Sequence, residues 1–178
     1  MDSAVLITLI LSGVFLLAFF GIGSTVLWAL FTGAPWVPTR QHEVERMARL
    51  VHANNNDVFY DLGCGDGRTI KAMLPYVTRA VGIEISLPNA LWCYLRFRNN
   101  PRVHIVFNSF YRTSLHDATI VYIYQFPNVH EAIKEKLLHE LPQGAHVVTH
   151  VWPILGWDDK LKEVSEEQGH PRFYIYQV

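Results

Sequence analysis

The sequence predicts an α/β fold with a mostly parallel sheet, an antiparallel hairpin at the C-terminal edge of that sheet, and a transmembrane helix in front of it. Short β-rich runs alternate with helical runs through most of the chain, which is typical of a parallel sheet covered on both faces. The last two β-like runs are joined by the short sequence EEQGHP, which favours a hairpin. An uncharged apolar run opens the chain and predicts the transmembrane helix.

The N-terminal run is interpreted as a membrane anchor that occupies residues 1–33. Ser3–Phe31 contains no charged side chain, and about 20 apolar residues are enough to span a bilayer as a helix. The run is too long for a secretory signal and has no basic region before it. Asp2 precedes the run, whereas Arg40 and Arg46 follow it. The positive-inside rule then predicts a single-pass membrane protein whose globular domain lies on the cytoplasmic or equivalent inner side.

The composition allows one globular domain after the anchor, assigned to residues 34–178. The chain of 178 residues has a net charge of −1, and its basic residues are dispersed, so no nucleic-acid partner is expected. The chain has only two cysteines, Cys64 and Cys93, and they do not form a CxxC motif. This pattern is typical of a reducing compartment and predicts neither a disulfide nor a zinc framework.

The domain is predicted to begin with a helix over Gln41–Ala53, whose apolar side chains recur on one face. Five strands of a parallel sheet and three further helices follow it. The strands are predicted at Val58–Leu62, Ala80–Glu84, Val103–Phe107, Ile120–Tyr124 and Ala145–His150. The helices are predicted at Arg68–Leu74, Pro88–Asn99 and Val129–Leu141, the last with Asn128 as its N-cap. The edge hairpin is predicted to pair Lys162–Ser165 with Phe173–Val178.

The loop after the first strand carries glycines at alternate positions in the sequence DLGCGDGR. Glycines at this place let a ligand approach the backbone closely. The spacing is not the dinucleotide fingerprint G-x-G-x-x-G, because Arg68 stands where the third glycine would be. Asp61 and Asp66 flank the loop and would repel a pyrophosphate. A cationic ligand without phosphate fits better, and S-adenosylmethionine has both a sulfonium and an ammonium group.

Glu84 ends the next predicted strand, 17 residues after Gly67. An acidic side chain at the carboxyl end of this strand can accept hydrogen bonds from both hydroxyls of a ribose. The alternative is that the glycines only form a tight turn and that Glu84 is solvated. Asp61 and Glu84 lie on consecutive predicted strands, with the glycines in the loop after the first. This arrangement favours a cofactor site.

The sequence resembles the class I, or seven-strand, S-adenosylmethionine-dependent methyltransferases in the segments YDLGCGDGR and GIE. Further segments extend the likeness over nearly the whole chain: PWVPTRQHEVERM, HELPQGAHVVTHVWPILGW and RFYIYQV. They are similar to segments of the membrane-anchored protein-lysine methyltransferases that modify the ATP synthase c-subunit and the adenine nucleotide translocase, and of their small prokaryotic relatives. The resemblance implies a Rossmann-like sheet, S-adenosyl-L-methionine as cofactor, and methyl transfer to a lysine, here in a membrane protein.

The resemblance also implies which residues bind the cofactor. The expected set comprises Thr39, Gln41, Asp61, Gly63, Gly65, Gly67, Glu84, Asn108 and Ser109. Thr39 and Gln41 match a segment that folds over the cofactor in relatives, and Glu84 matches the ribose-binding acid. Asn108 and Ser109 stand where relatives usually have an acid that contacts the adenine amine, so that contact would lack its charge here.

The catalytic residues are expected at the end of the fourth strand. A lysine must arrive there as the neutral amine, and the protein must position and desolvate it. Tyr124 and Gln125 are the candidates, in a segment YQFP that keeps only the outline of the Asn/Asp-Pro-Pro-aromatic motif of many amine methyltransferases. Tyr111 and Trp152 are possible walls, although all these aromatic residues could simply pack at a sheet edge. No pair of histidines has metal-site spacing beside further ligands, so no metal is expected.

Two alternatives to a protein-lysine methyltransferase stay open at this point. An anchored methyltransferase could act on a lipid or a quinone, and a membrane protein could bind the cofactor without catalysis. Retention of Asp61, the three glycines and Glu84 speaks against the second alternative. The sequence does not predict the oligomeric state.

Overall fold

The computed structural model describes residues 3–32 and 38–178, and in the first helix it describes the side chains of residues 5–17, 19–21 and 23. The chain divides into two compact units, Met1–Val37 and Pro38–Val178. The first unit contains the helix α1 (Ser3–Thr32). The end of the predicted anchor at residue 33 lies outside the described residues. The predicted boundary between residues 33 and 34 stays a prediction.

The predicted localisation needs a correction. A helix that crosses a bilayer needs about 20 consecutive apolar residues. Among the residues that the structure describes, no helix meets the combined requirement of length and apolar character. The prediction of a single-pass membrane protein, with its globular domain on the inner side, is therefore wrong.

The second unit is built on one sheet of seven strands in the order β3-β2-β1-β4-β5-β7-β6. The strands are β1 (Val58–Leu62), β2 (Arg79–Glu84), β3 (Val103–Phe107), β4 (Ile120–Ile123), β5 (His146–His150), β6 (Leu161–Ser165) and β7 (Phe173–Gln177). The first five are parallel to one another. The last two are antiparallel, β7 to β5 and β6 to β7. The structure thus confirms a mostly parallel sheet with an antiparallel C-terminal hairpin.

Four helices of the second unit pack beside the sheet. They are α2 (Gln41–Leu50), α3 (Arg68–Met73), α4 (Leu87–Phe97) and α5 (Pro127–Glu140). The last begins two residues before its predicted start, with Phe126 rather than Asn128 at the N-cap. Pro127 explains the difference, because its fixed φ suits the first helical position and its missing N–H needs no acceptor there.

The buried side chains form two apolar clusters. One contains Met47 of α2, Ile70 of α3 and Cys93 of α4, packed against β1 and its neighbours. The other contains Ile133 and Leu137 of α5. Alternate residues of the strands enter the two clusters, as the two-residue period of a strand requires.

The order of the strands determines where a ligand can bind. β1 pairs with β2 on one side and with β4 on the other, so the order reverses between β1 and β4. In open α/β sheets, ligands bind at the carboxyl ends of the strands beside such a switch point. The loop of residues 63–67 follows β1 at this place and leads into α3.

Candidate active site

The loop 63–67 adopts a conformation that only glycine adopts easily. Its three glycines have positive φ angles: 103° at Gly63, 54° at Gly65 and 73° at Gly67. The backbone N–H groups of Gly63 and Cys64 both donate to the carbonyl oxygen of Ile83, at 2.9 and 3.1 Å. These two hydrogen bonds attach the loop to the end of β2.

Two of the glycines also lie where a side chain would not fit. A Cβ atom on Gly67 would be 2.6 Å from Cε2 of Phe97 and 2.9 Å from Sγ of Cys93. A Cβ atom on Gly63 would be 2.5 Å from Nε2 of Gln125. The same Nε2 donates to the carbonyl oxygen of Leu62 at 3.2 Å. Gln125, one of the two predicted catalytic residues, therefore lies directly against the start of the loop.

Asp61 is the acidic residue beneath the loop. Its side chain is buried, and burial together with the negative charge of Glu84 raises its pKa to about 8, against an opposing hydrogen bond from Thr69. A carboxyl group with this pKa indicates an excess of negative charge in a dry site. A bound cation would relieve that excess, whereas a phosphate would increase it.

Glu84 is buried at the end of β2, and both of its carboxylate oxygens accept backbone hydrogen bonds. Oε2 accepts from the N–H of Gly65 at 2.8 Å, and Oε1 accepts from the N–H of Ser86 at 2.7 Å. Each carboxylate oxygen has capacity for a second hydrogen bond. Glu84 thus fixes the centre of the loop and can still accept from a ligand hydroxyl.

Three side chains from distant parts of the chain form a hydrogen-bonded row. Thr39 Oγ1 lies 3.0 Å from the hydroxyl oxygen of Tyr122, which in turn lies 2.8 Å from Nδ1 of His150. All three residues are buried. Burial lowers the pKa of His150 to about 4, so the imidazole is neutral near neutral pH. Its Nε2 atom has no hydrogen-bond partner among the described residues.

The sequence pointed to Thr39 but not to Tyr122 or His150. Tyr122 precedes Tyr124 by two residues, so the strand period would place both side chains on one face of the sheet. This spacing could have identified Tyr122 as a residue of the site. Nothing in the sequence indicated which neighbour the hydroxyl of Tyr122 would meet, because that depends on the order of the strands.

Aromatic rings collect at the ends of β4 and β5. The ring centre of Tyr124 is 4.3 Å from that of His150 and 6.3 Å from that of Trp152. Phe126 and Trp152 are 5.3 Å apart. Burial raises the pKa of Tyr124, so its hydroxyl remains protonated. The structure therefore brings the predicted residues Tyr124 and Trp152 together, whereas Tyr111 is largely exposed on another loop.

The backbone that positions Trp152 is strained. Val151 has a φ angle of 73°, which is rare for a β-branched residue. The N–H of Trp152 donates to the carbonyl oxygen of His150 at 3.0 Å, and the hydroxyl of Thr149 donates to the carbonyl oxygen of Trp152 at 2.7 Å. Such strain often occurs at functional sites, where the surrounding structure maintains it.

The remaining predicted cofactor residues lie at the rim. After β3, Asn108 is exposed and Ser109 is half-buried, and the N–H of Asn108 donates to the carbonyl oxygen of Glu84 at 3.2 Å. Gln41 is exposed at the start of α2, where its side-chain amide donates to Glu45 at 2.9 Å. The structure therefore places Asn108 next to the end of β2 and shows no hydrogen bond between Gln41 and the loop.

Cys64 is part of the glycine loop, and Cys93 of α4 packs against it. Both are buried and free, and the thiol of Cys93 donates to the carbonyl oxygen of Gly65 at 3.1 Å. Cys64 packs against Gly82, where a Cβ atom would be 2.7 Å from its Sγ. The contact with Cys93, together with burial, raises the pKa of the Cys64 thiol, which keeps it protonated and unreactive.

This chain is similar to known methyltransferases. A family model described as the ANTKMT methyltransferase domain matches residues 61–161. A protein-lysine N-methyltransferase from Saccharolobus islandicus is 35% identical over 147 residues, which cover 80% of this chain and 91% of that protein. The lysine N-methyltransferase of the ATP synthase c-subunit from Xenopus laevis is 26% identical over 69% of this chain. This chain spans 55% of the length of that relative.

A solved structure shows the same architecture. The RNA methyltransferase from Salinibacter ruber, in complex with S-adenosyl-L-homocysteine, has a TM-score of 0.73 and 28% sequence identity to this chain. The match covers 80% of this chain and 94% of the other.

Proposed function

Since this chain belongs to the ANTKMT methyltransferase-domain family and is an S-adenosylmethionine-dependent methyltransferase, we propose that it methylates a lysine ε-amine of a protein. It is related to protein-lysine N-methyltransferases. The proposed place of methyl transfer lies between the glycine loop and the aromatic rings after β4 and β5. The observation that carries this proposal is the position of Gln125. Gln125 follows Tyr124 at the end of β4, and its side chain contacts Leu62 and Gly63 at the start of the glycine loop.

The residues at the loop fit the cofactor. Bound S-adenosylmethionine supplies a methyl group on a sulfonium, and the protein supplies position and a water-poor site. Asp61 offers negative charge for the cationic part of this ligand, and burial strengthens that attraction. Glu84 is the proposed acceptor for the ribose hydroxyls, because its two oxygens retain acceptor capacity beside Gly65.

The other cofactor residues are proposed from the shape of the loop, from burial and from the family resemblance. Gly63 and Gly67 are proposed because their positive φ angles give the loop its shape, which most side chains would disfavour. Thr39 is proposed because its hydroxyl is buried beside Tyr122. Asn108 and Ser109 are proposed to contact the adenine from the rim beyond β2. Gln41 belongs to this set through the family resemblance alone.

Gln125 is proposed to orient the target amine. Its Nε2 donates to Leu62, so its carbonyl oxygen is the free end of the amide and can accept a hydrogen bond from a neutral lysine amine. Tyr124 and Trp152 would enclose the aliphatic part of the lysine and exclude water. Removal of water disfavours the ammonium form and so lowers the pKa of the lysine from about 10.4. The proton can leave to solvent before the amine enters, so no strong base is required.

We propose in addition that the target lysine lies in a membrane protein. The support for this is the resemblance to methyltransferases of the ATP synthase c-subunit and the adenine nucleotide translocase. The name of the relative from Xenopus laevis agrees with it. The alternatives are a lipid or quinone substrate, and an RNA substrate, which the name of the Salinibacter ruber protein suggests. The net charge of −1 argues against RNA, since RNA binding relies on clustered basic residues.

One labelling experiment separates these substrates. The purified full-length protein is incubated with S-adenosylmethionine that carries a radioactive methyl group, once with native membranes and once with the soluble extract. Each reaction is then divided into protein, lipid and RNA, and labelled proteins are analysed for methyl-lysine. We expect the label on lysine. If the target is a membrane protein, the labelled lysine should be in the membrane fraction. The Gln125→Ala variant should bind the cofactor within about threefold of wild type and transfer at least about tenfold more slowly.

Label in lipid or RNA but not in protein would contradict the lysine proposal. Label on lysine from the soluble extract alone would contradict only the membrane-protein part. Cofactor binding without transfer to any fraction would favour a protein that binds the cofactor without catalysis.

A further inference from the structure

Two histidines and a glutamate from opposite ends of the second unit converge beside the start of α2. His42 and Glu43 are in the first turn of that helix, and His170 is in the turn between β6 and β7. Oε1 of Glu43 is 3.3 Å from Nε2 of His42 and 2.6 Å from Nδ1 of His170. The three ligand atoms all lie within 4.8 Å of one another. From this geometry we propose that His42, Glu43 and His170 bind a zinc ion.

The donor atoms suit zinc in kind and in spacing. Zinc binds imidazole nitrogen and carboxylate oxygen at about 2.0–2.2 Å, which places tetrahedral ligands about 3.4 Å apart. The contact between His42 and Glu43 already has this separation. The contact between His170 and Glu43 would lengthen by less than about 1 Å as a metal replaces the hydrogen bond. Two imidazoles and a single carboxylate favour zinc over magnesium or calcium, which prefer oxygen ligands.

Glu43 is held in the orientation that a metal ligand needs. Its other carboxylate oxygen, Oε2, accepts from Nε and Nη2 of Arg46 at 3.1 and 2.9 Å, which leaves Oε1 to the histidines. Metal ligands are commonly oriented by such a second hydrogen bond.

The positive charge of Arg46 would repel the proposed zinc ion, but the guanidinium is held by several other contacts. Its Nη1 donates to the hydroxyl of Ser165 at 2.8 Å, its Nη2 donates to the carbonyl oxygen of Pro171, and its guanidinium lies over the ring of Phe173 at 4.7 Å. These contacts keep Arg46 on the Oε2 side of Glu43. The proposed ion lies on the other side, where His42 is exposed and water can complete the coordination.

The ion would connect two elements that are far apart in the sequence. Glu43 and His170 are 127 residues apart, and their contact joins α2 to the edge hairpin. α2 begins two residues after Thr39, which contacts Tyr122 in the candidate active site. The ion touches none of the proposed catalytic residues, so its role here is to stabilise the position of α2 rather than to take part in methyl transfer.

The test uses full-length protein without an affinity tag, freed of metal by a chelator. Zinc chloride is titrated in calorimetry, and cobalt chloride is followed by visible absorption, because tetrahedral cobalt absorbs strongly. We expect one ion per chain and a cobalt spectrum typical of four ligands. Zinc at about 100 times its dissociation constant should raise the Tm by roughly 5–10 °C.

His42→Asn and His170→Asn should each weaken zinc binding by at least about tenfold and abolish most of the rise in Tm. His104→Asn, at an exposed histidine of β3, is the matched control and should change neither. His42 is exposed, so its variant should fold even if the other does not. Absence of zinc binding, or binding that survives both cluster variants, would overturn the proposal. Equal loss in the control would overturn it too.

Discussion

Glu84 accepts a hydrogen bond from the backbone N–H of Gly65 across 2.8 Å, so the acid at the end of β2 fixes the centre of the loop after β1. Its second oxygen accepts from Ser86 at 2.7 Å. The proposed ribose acceptor is thus part of the structure that shapes the cofactor site. Any change of Glu84 should affect the ligand contact and the loop together.

Replacement of Glu84 should weaken binding of S-adenosylmethionine. Charge-assisted hydrogen bonds contribute about 1.5–3 kcal/mol, and about 1.4 kcal/mol corresponds to a tenfold change. Calorimetry should therefore show that Glu84→Ala lowers the affinity by at least about tenfold, with Glu84→Gln between it and wild type. Glu163→Ala, on the exposed edge strand, is the control. A loss below about twofold would mean that this carboxylate does not contact the ribose.

Gly67→Ala should destabilise the fold more than Gly169→Ala does. Both glycines have left-handed φ angles, 73° and 83°, so both variants carry backbone strain of about 1–2 kcal/mol. Only at Gly67 would the new methyl group overlap its surroundings, at 2.6 Å from Phe97, whereas at Gly169 nothing lies within 4 Å. We expect Gly67→Ala to cost about 1–3 kcal/mol more in urea denaturation. Equal midpoints for the two variants would show that the packing at α4 yields easily.

Tyr122→Phe should reveal the contribution of the buried hydrogen-bonded row. The missing hydroxyl leaves Thr39 Oγ1 and His150 Nδ1 without the partner that each has now at 3.0 and 2.8 Å. A buried polar group without a partner costs about 1–3 kcal/mol, so the free energy of unfolding should fall by at least that amount. Tyr111→Phe, at a residue that is 44% exposed, should change it by less than about 0.5 kcal/mol. Similar effects of the two variants would indicate that the row is dispensable.

The fold was predictable to a large extent because the strand pattern is strong. β1 and β3 have the predicted bounds, since compact runs of apolar residues end at clear turn signals. The ends of other elements shift by one to three residues: β4 stops at Ile123 rather than Tyr124, and α2 stops at Leu50 rather than Ala53. The predicted family is confirmed by the match over residues 61–161 and by the relative from Saccharolobus islandicus.

The contacts around the site were less predictable, because they join residues far apart in the sequence. Thr39 and Tyr122 are 83 residues apart, and Glu43 and His170 are 127 apart. Such pairs depend on the strand order and on how α2 covers the sheet. Spacing along the chain carries information about neighbours on one helix or strand only, so it could not indicate that His42 and His170 lie close together.

Asp61 should couple cofactor binding to proton release. Its pKa is about 8 in the folded, ligand-free protein, where burial and then Glu84 raise it from an ordinary value of 3.8. Between these values the folded chain holds a proton that the unfolded chain has lost, so this group makes stability fall as the pH rises from about 4 towards 8. A bound cationic ligand favours the carboxylate and lowers this pKa again. Binding of S-adenosylmethionine near pH 7 should therefore release close to one proton, and affinity should rise with pH up to about 8.

Calorimetry in two buffers with different ionisation enthalpies measures the released proton directly. Asp61→Asn has no proton to release, so its binding enthalpy should be independent of the buffer, and its stability should lack the decline between about pH 4 and pH 8. If wild type also shows no dependence on the buffer, Asp61 is already ionised without the cofactor, and the excess negative charge assigned to this site is absent.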